Sequence, residues 1–240
     1  MKIDILAIAA HPDDVELSCS GTLMVHKAQG KAIGVVDLTR GELGTRGTPE
    51  TRKEEAADAL RIMDLDVREN LGMADGFFKN DRVNQLKIIQ AIRKFQPDIV
   101  LANAIDDRHP DHAKGAKLVY DALFLSGLSK IETLDSDGKV QEKWRPRLLL
   151  NYLQDKWIKP DIIVDISDFW DRKMESILAY GTQFHNPNLD EPETYISSKQ
   201  FIHLLEARAR EMARPCGFEF GEGFTSNNKF LGVKNLFEVF

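Results

Sequence analysis

A chain of 240 residues with 42% hydrophobic and 29% charged residues has the make-up of a globular protein with a full core. Its apolar runs fall short of the roughly 20 residues that a membrane span requires, so no membrane partner is expected. Its formal net charge of -6, with no long Lys/Arg block to offset it, speaks against nucleic acid as a partner.

Residues 3–9 form an apolar run broken only by Asp4 and read as a buried strand. Residues 15–29 then show helical spacing through Leu17, Leu23, Met24 and Ala28 before Gly30 stops the pattern. A second strand over 32–38 leads into the glycine-rich stretch 39–47. Thr48-Pro49-Glu50 reads as an N-cap followed by proline at the first helical position, opening a helix to Met63 with Ala56, Ala59, Leu60 and Met63 on one face. A weaker third strand covers 67–71, a helix 83–95 and a fourth strand 98–102, announced by Pro97. His112 or Ala113 opens a further helix to about Phe124. Strands at 147–153 and 162–166 and helices at 168–180 and 198–213 follow, and the tail from Cys216 is ambiguous, with Gly221, Gly223 and Gly232 suggesting loops. No low-complexity stretch divides the chain, which predicts a single domain over 1–240.

Strands and helices alternating at this spacing predict an α/β fold, a Rossmann-like three-layer sandwich around a mostly parallel sheet. In such an order the first and fourth strands lie side by side where the winding reverses, and ligands bind beyond their carboxyl ends. Two chemistry-bearing stretches follow those two strands. The first is Ala10-His11-Pro12-Asp13-Asp14-Val15-Glu16-Leu17 and the second is His109-Pro110-Asp111-His112. His11 and Asp14 from one turn with His112 from the other make two imidazoles and a carboxylate, a donor set suited to hydrolytic zinc or another divalent metal. Asp13, spare beside them, is placed as general base toward a water acidified by that ion. Asp111 is placed to accept a hydrogen bond from His109, making His109 the group that meets oxyanion charge or protonates a leaving amine.

The stretches just quoted resemble the PIG-L (LmbE-like) family of zinc-dependent N-deacetylases. The likeness extends through residues 38–47, Thr51-Arg52-Lys53-Glu54-Glu55, residues 106–112 and Glu222-Gly223-Phe224. Within that family the set is similar to the bacillithiol-biosynthesis branch, whose members remove acetate from N-acetylglucosaminyl L-malate. The resemblance implies metal positions at His11, Asp14 and His112, the base at Asp13 and a charged stabiliser pair at His109 and Asp111. It further implies a substrate-contacting arginine at Arg52 and, at Tyr195, a tyrosine that hydrogen-bonds the tetrahedral intermediate. Malate carboxylates need cationic partners, for which Arg108, Arg40 and Arg46 stand on the same rim. A small-molecule amino-sugar conjugate is the implied partner, and a homo-oligomer, often a hexamer, the implied assembly. Other readings are a deacetylase of another N-acetylated sugar or chitooligosaccharide, and a non-enzymatic zinc- or carbohydrate-binding protein.

Plainer roles are available for several of these residues. Asp13 and Asp14 could simply cap the first helix. Glu16 reads as a structural group, His26, His185 and His203 as solitary histidines, and Lys53, Glu54 and Glu55 as a solvated helix face. Cys19 and Cys216 form no close pair and read as two buried thiols in a reducing cytoplasm. Residues 1–6 run directly into a strand pattern, so no secretory signal is expected.

Overall fold

The computed structural model describes residues 1–226 and 232. In chain order the elements are β1 (Ile5–Ala9), α1 (Asp14–Ser18), α2 (Ser20–Ala28), β2 (Ile33–Thr39), α3 (Pro49–Met63), β3 (Val67–Met73) and α4 (Arg82–Phe95). They continue with β4 (Ile99–Ala102), α5 (Pro110–Ser126), β5 (Leu148–Tyr152), β6 (Ile162–Asp165), α6 (Trp170–Leu178), α7 (Lys199–Ala213) and β7 (Gly221–Thr225). The seven strands form one sheet in the order β3-β2-β1-β4-β5-β7-β6. Pairing is parallel from β3 through β5 and antiparallel where β7 meets β5 and β6.

β1 explains why this sheet needs cover on both faces. Ile5, Ala7 and Ala9 join a core with Val15, Leu23, Ala59 and Met63, under α1 to α3. Leu6 and Ile8 face the opposite way, into a core with Ile88, Ile92, Phe95 and Leu118 from α4 and α5. Every residue of β1 and β2 is buried, as expected for parallel strands between two helical layers. β1 and β4 are paired neighbours, so the two motif turns leave the sheet side by side. Among the described residues no helix is long and apolar enough to cross a membrane.

Four local expectations need correction. The helix read over 15–29 is broken at Cys19, because the Glu222 carboxylate reaches in from β7 and accepts from Gly21 N (3.0 Å) and Thr22 N (2.7 Å), giving α2 an N-terminus of its own. α5 begins at Pro110 instead of residue 112 or 113, with His109 as its N-cap and proline at the first helical position. Gly221 and Gly223, read as loop, lie in β7. A Cβ at Gly221 would come within 2.9 Å of Ile163 and 3.2 Å of the α7 backbone at Ala213, so the glycines admit close packing instead of marking a turn. Gly232 sits outside any element, and the rest of the tail read after 226 lies outside the described residues. Cys19 is buried as expected, but Cys216 is exposed at the end of the short turn Arg214–Cys216.

Candidate functional site

The turn after β1 is tight. His11 N donates to Asp14 Oδ2 at 3.0 Å, and Ala10 N donates to the Oδ1 of Asn103, the residue just after β4, at 2.8 Å. Asp13 follows with φ of 108°, a left-handed conformation that costs a non-glycine residue energy and persists only where its surroundings hold it. Asp13 occupies the N-cap position of α1 but makes no side-chain cap hydrogen bond, so simple helix capping does not describe it. Its carboxylate instead accepts from Arg52 Nη2 at 2.8 Å, and the same guanidinium donates to the Pro12 carbonyl.

Across the turn, the second motif brings His109 and His112 to His11. Ring centroids lie 4.7 Å apart for His11 and His109, 5.6 Å for His11 and His112, and 5.1 Å for His109 and His112. Asp14 stands between the two buried imidazoles, with Oδ2 3.6 Å from His11 Nδ1 and Oδ1 3.1 Å from His112 Nε2. Two donors bound at about 2.0–2.1 Å to one tetrahedral ion lie roughly 3.3–3.4 Å from each other. Asp14 thus meets a nitrogen of each imidazole, through a different oxygen for each, and among the described residues the donor groups that lie within 4.8 Å of one another are His11, His109 and His112, and His11, Asp75 and Asp111.

The charge balance has the same sense. Burial works against a proton on His112, yet Asp14 and Asp107 hold its pKa up to about 9. His11 is likewise raised despite burial, through Asp111, Asp14 and Asp75, and Asp14 is held low against burial by His112 and His11. Asp13 differs: burial pushes it up to about 7, with Arg52 opposing. His109 is lowered by burial and then by the neighbouring His11 and His112.

The structure revises several predicted partnerships. The Asp111 carboxylate does not serve His109. It lies 3.4 Å from His11 Nε2 and accepts from Lys114 Nζ and Gly76 N, each at 2.7 Å, because its side chain leaves the first turn of α5 toward the loop after β3. Only the Asp111 backbone N–H meets His109, donating to Nδ1 at 3.3 Å. Arg52 is buried, its Nη1 and Nη2 donating to Gly41, Pro12 and Asp13, so it holds the loop carboxylate as well as lining the cavity. Gly41, at φ of 66°, is where the glycine-rich stretch lets Arg52 pass, since a Cβ there would lie 2.2 Å from Nη1. Tyr195 is 51% exposed, and its hydroxyl donates to Asp155 Oδ1 at 3.0 Å instead of reaching the histidines. Arg108 pairs with Asp155 at 3.0 Å, stacks over the Tyr195 ring at 4.7 Å and lines the cavity mouth. Arg40 and Arg46 do not line it; Arg40 is exposed, and buried Arg46 approaches Glu191 at 3.4 Å. Glu16 is structural, paired with Arg68 under the sheet edge, whereas Glu55 is no solvated group and accepts from Thr182 N at 2.7 Å.

Sequence reasoning missed Asp75, Asn103, Asp107, Gln154 and Arg208. Gln154 Nε2 donates to Asp14 Oδ1 at 2.9 Å, Asn103 Nδ2 donates to Asp14 Oδ2 at 3.0 Å, and the two amides join at 3.0 Å. Asp75 and Gln154 lie just beyond the carboxyl ends of β3 and β5, where the rule that located the two motifs would have found them, and Asn103 directly follows β4. Asp75, Asp107, Gln154 and Arg208 border one cavity of about 460 Å³ with His11, Asp13, Asp14, His109 and His112, and its far wall is apolar through Leu17, Leu153, Ile196, Phe201 and Leu205.

Residues 6–123, the segment holding both motifs, match the PIG-L family, described as GlcNAc-PI de-N-acetylase. The whole chain is similar to the conserved protein TT1542 from Thermus thermophilus, at 37% identity and a TM-score of 0.85 over 97% of this chain and 98% of that one. The chain belongs to the PIG-L family. As a PIG-L protein it is a metal-dependent hydrolytic enzyme. Curated relatives carry varied names. A 4-oxalmesaconate hydratase of Pseudomonas putida is 26% identical over 75% of this chain and 74% of its own length. The diacetylchitobiose deacetylase of Thermococcus kodakarensis is 26% identical over 75% and 70%. A probable N-acetyl-alpha-D-glucosaminyl L-malate deacetylase 2 of Bacillus subtilis is 24% identical over 76% and 84%.

Proposed function

We propose that this PIG-L protein hydrolyses the N-acetyl amide of an N-acetylglucosamine conjugate, with N-acetylglucosaminyl L-malate as the first substrate to test. The observation that carries the reading is a carboxylate, Asp13, held at the cavity by Arg52 beside the imidazoles of His11 and His112, with the Asp14 carboxylate between those two rings. Two imidazoles and a carboxylate suit zinc; a divalent ion there supplies Lewis acidity that acidifies a water and polarises the amide carbonyl.

In this reading Asp13 takes the proton of the attacking water, and Arg52 keeps its carboxylate aimed at the cavity. His109 accepts at Nδ1 from the Asp111 amide, which leaves Nε2 to carry the proton and donate to the developing oxyanion. The water oxygen bonds to the carbonyl carbon and the C–N bond breaks. The departing amine receives a proton from Asp13 or His109, leaving acetate and a free amino sugar. Asp111 steadies His11, Arg108 stands at the mouth for an anionic aglycone, and Tyr195 would have to leave Asp155 to take part in the chemistry. With Cys19 and Cys216 both free thiols, the reading includes a reducing, cytoplasmic setting.

Acetate release by zinc-loaded protein on N-acetylglucosaminyl L-malate and on N,N'-diacetylchitobiose tests it, with metal content measured on the same sample. Turnover of the first above the second supports the malate branch. The reverse moves the assignment to oligosaccharides, and a fully metallated protein inert on both overturns the deacetylase reading.

A further inference from the structure

A pattern recurs on the outer side of the two imidazoles that face Asp14. His112 turns Nε2 to Asp14 at 3.1 Å while its other ring nitrogen, Nδ1, meets Asp107 Oδ2 at 2.5 Å. His11 likewise presents Nδ1 to Asp14 at 3.6 Å while Nε2 lies 3.0 Å from Asp75 and 3.4 Å from Asp111. His11 thus has two carboxylates behind it, either of which can serve, whereas at His112 Asp107 is the carboxylate that meets the outer nitrogen. The Asp107 carboxylate is itself pinned. Its Oδ1 accepts from Lys156 N at 2.7 Å, in the segment after β5, and the side chain is closed off from solvent. Asp106, one residue earlier, is exposed and pairs with the Lys156 ammonium.

We propose that Asp107 is a positioning residue for cation capture. By accepting the Nδ1 proton of His112 it selects the tautomer whose Nε2 lone pair faces Asp14, and by its anchor on Lys156 N it holds the ring against rotation. A His112 lacking this partner samples the other tautomer, in which Nε2 carries a proton and cannot donate to a cation. The inference rests on the reading of His11, Asp14 and His112 as the cation-holding set.

The test is an equilibrium titration of zinc against a chromophoric chelator for the wild type, Asp107→Ala, Asp107→Asn and Asp106→Ala, with a thermal melt of each metal-free form. Expected are unchanged affinity in Asp106→Ala, a loss of about 10–100-fold in Asp107→Ala, and recovery of most of that loss in Asp107→Asn, which keeps an acceptor. A folded Asp107→Ala that binds zinc as the wild type does overturns the proposal. Should Asp107→Ala fail to fold, nitrogen-15 spectra of histidine-labelled, zinc-loaded wild type decide. A protonated Nδ1 on His112 with metal-shifted Nε2 is expected, and the opposite pattern overturns it. Wild type that binds no zinc at all overturns the parent reading, a result distinct from equal binding by wild type and Asp107→Ala.

Discussion

The Arg52 guanidinium closes on the Asp13 carboxylate at 2.8 Å inside the turn that also presents His11 and Asp14. The pair separates two neighbouring carboxylates into different tasks: Asp14 faces the imidazoles, and Asp13 is tethered apart from them. Replacing Asp13 by Asn keeps the shape and tolerates the left-handed backbone at this position. If Asp13 is the base, Asp13→Asn lowers acetate release by about 10²–10⁴-fold while bound metal stays at the wild-type level. Parallel metal analysis and kinetics check both halves, and a fully active variant removes Asp13 from the chemistry.

Arg52 should matter for folding as well as turnover. Arg52→Ala leaves a buried carboxylate without its ion partner and strips donors from the Pro12 and Gly41 carbonyls. Removing one member of such a pair costs about 3–5 kcal/mol. Combining it with Asp13→Asn takes away the stranded charge, so the double variant is expected to be more stable than Arg52→Ala alone. Urea unfolding of the three proteins measures this, and strictly additive losses would show that the two side chains are not coupled.

Metal removal gives a prediction independent of substrate. A cation that binds only the folded chain stabilises it by about 2.7 kcal/mol when present at 100 times its dissociation constant. For a chain of this length that raises the unfolding midpoint by roughly 5–10 °C. The midpoint should therefore climb with zinc concentration after chelation. His112→Ala should flatten the dependence, and an unchanged zinc response in that variant would exclude His112 from the set.

What the sequence made legible was whatever depended on local pattern and strand ends. β1 and β4 are apolar runs with no competing periodicity, and placing their turns together required only the winding rule of parallel sheets. Illegible was everything decided by a partner far along the chain. The break at Cys19 answers to Glu222, about two hundred residues away, and the Asp111 carboxylate goes to His11 and Gly76 instead of its sequence neighbour His109. Arg52 lines the cavity, but nothing in Thr51-Arg52-Lys53 reveals that its Nη2 is engaged by Asp13. β7 was missed because its glycines carry the usual turn signal, and only the closeness of α7 and β6 explains them.

Glu222 extends that point into a prediction. Its carboxylate accepts from Gly21 N and Thr22 N at the start of α2 and from Lys173 Nζ at 2.7 Å, and Lys173 and Glu222 are both buried. Lys173 also donates to the carbonyls of Glu16 and Leu17 at the end of α1, so one ammonium ties β7, α6 and both short helices behind the candidate site. Lys173→Met keeps most of the side-chain volume but leaves the carboxylate charge uncompensated, with an expected loss of about 3–5 kcal/mol in urea unfolding. Glu222→Gln alongside it removes that charge, and the paired variant should regain part of the loss. Because neither Lys173 nor Glu222 borders the cavity, the KM of the folded fraction at low temperature should stay at the wild-type value. A raised KM with unchanged stability would instead make Lys173 and Glu222 part of the binding machinery.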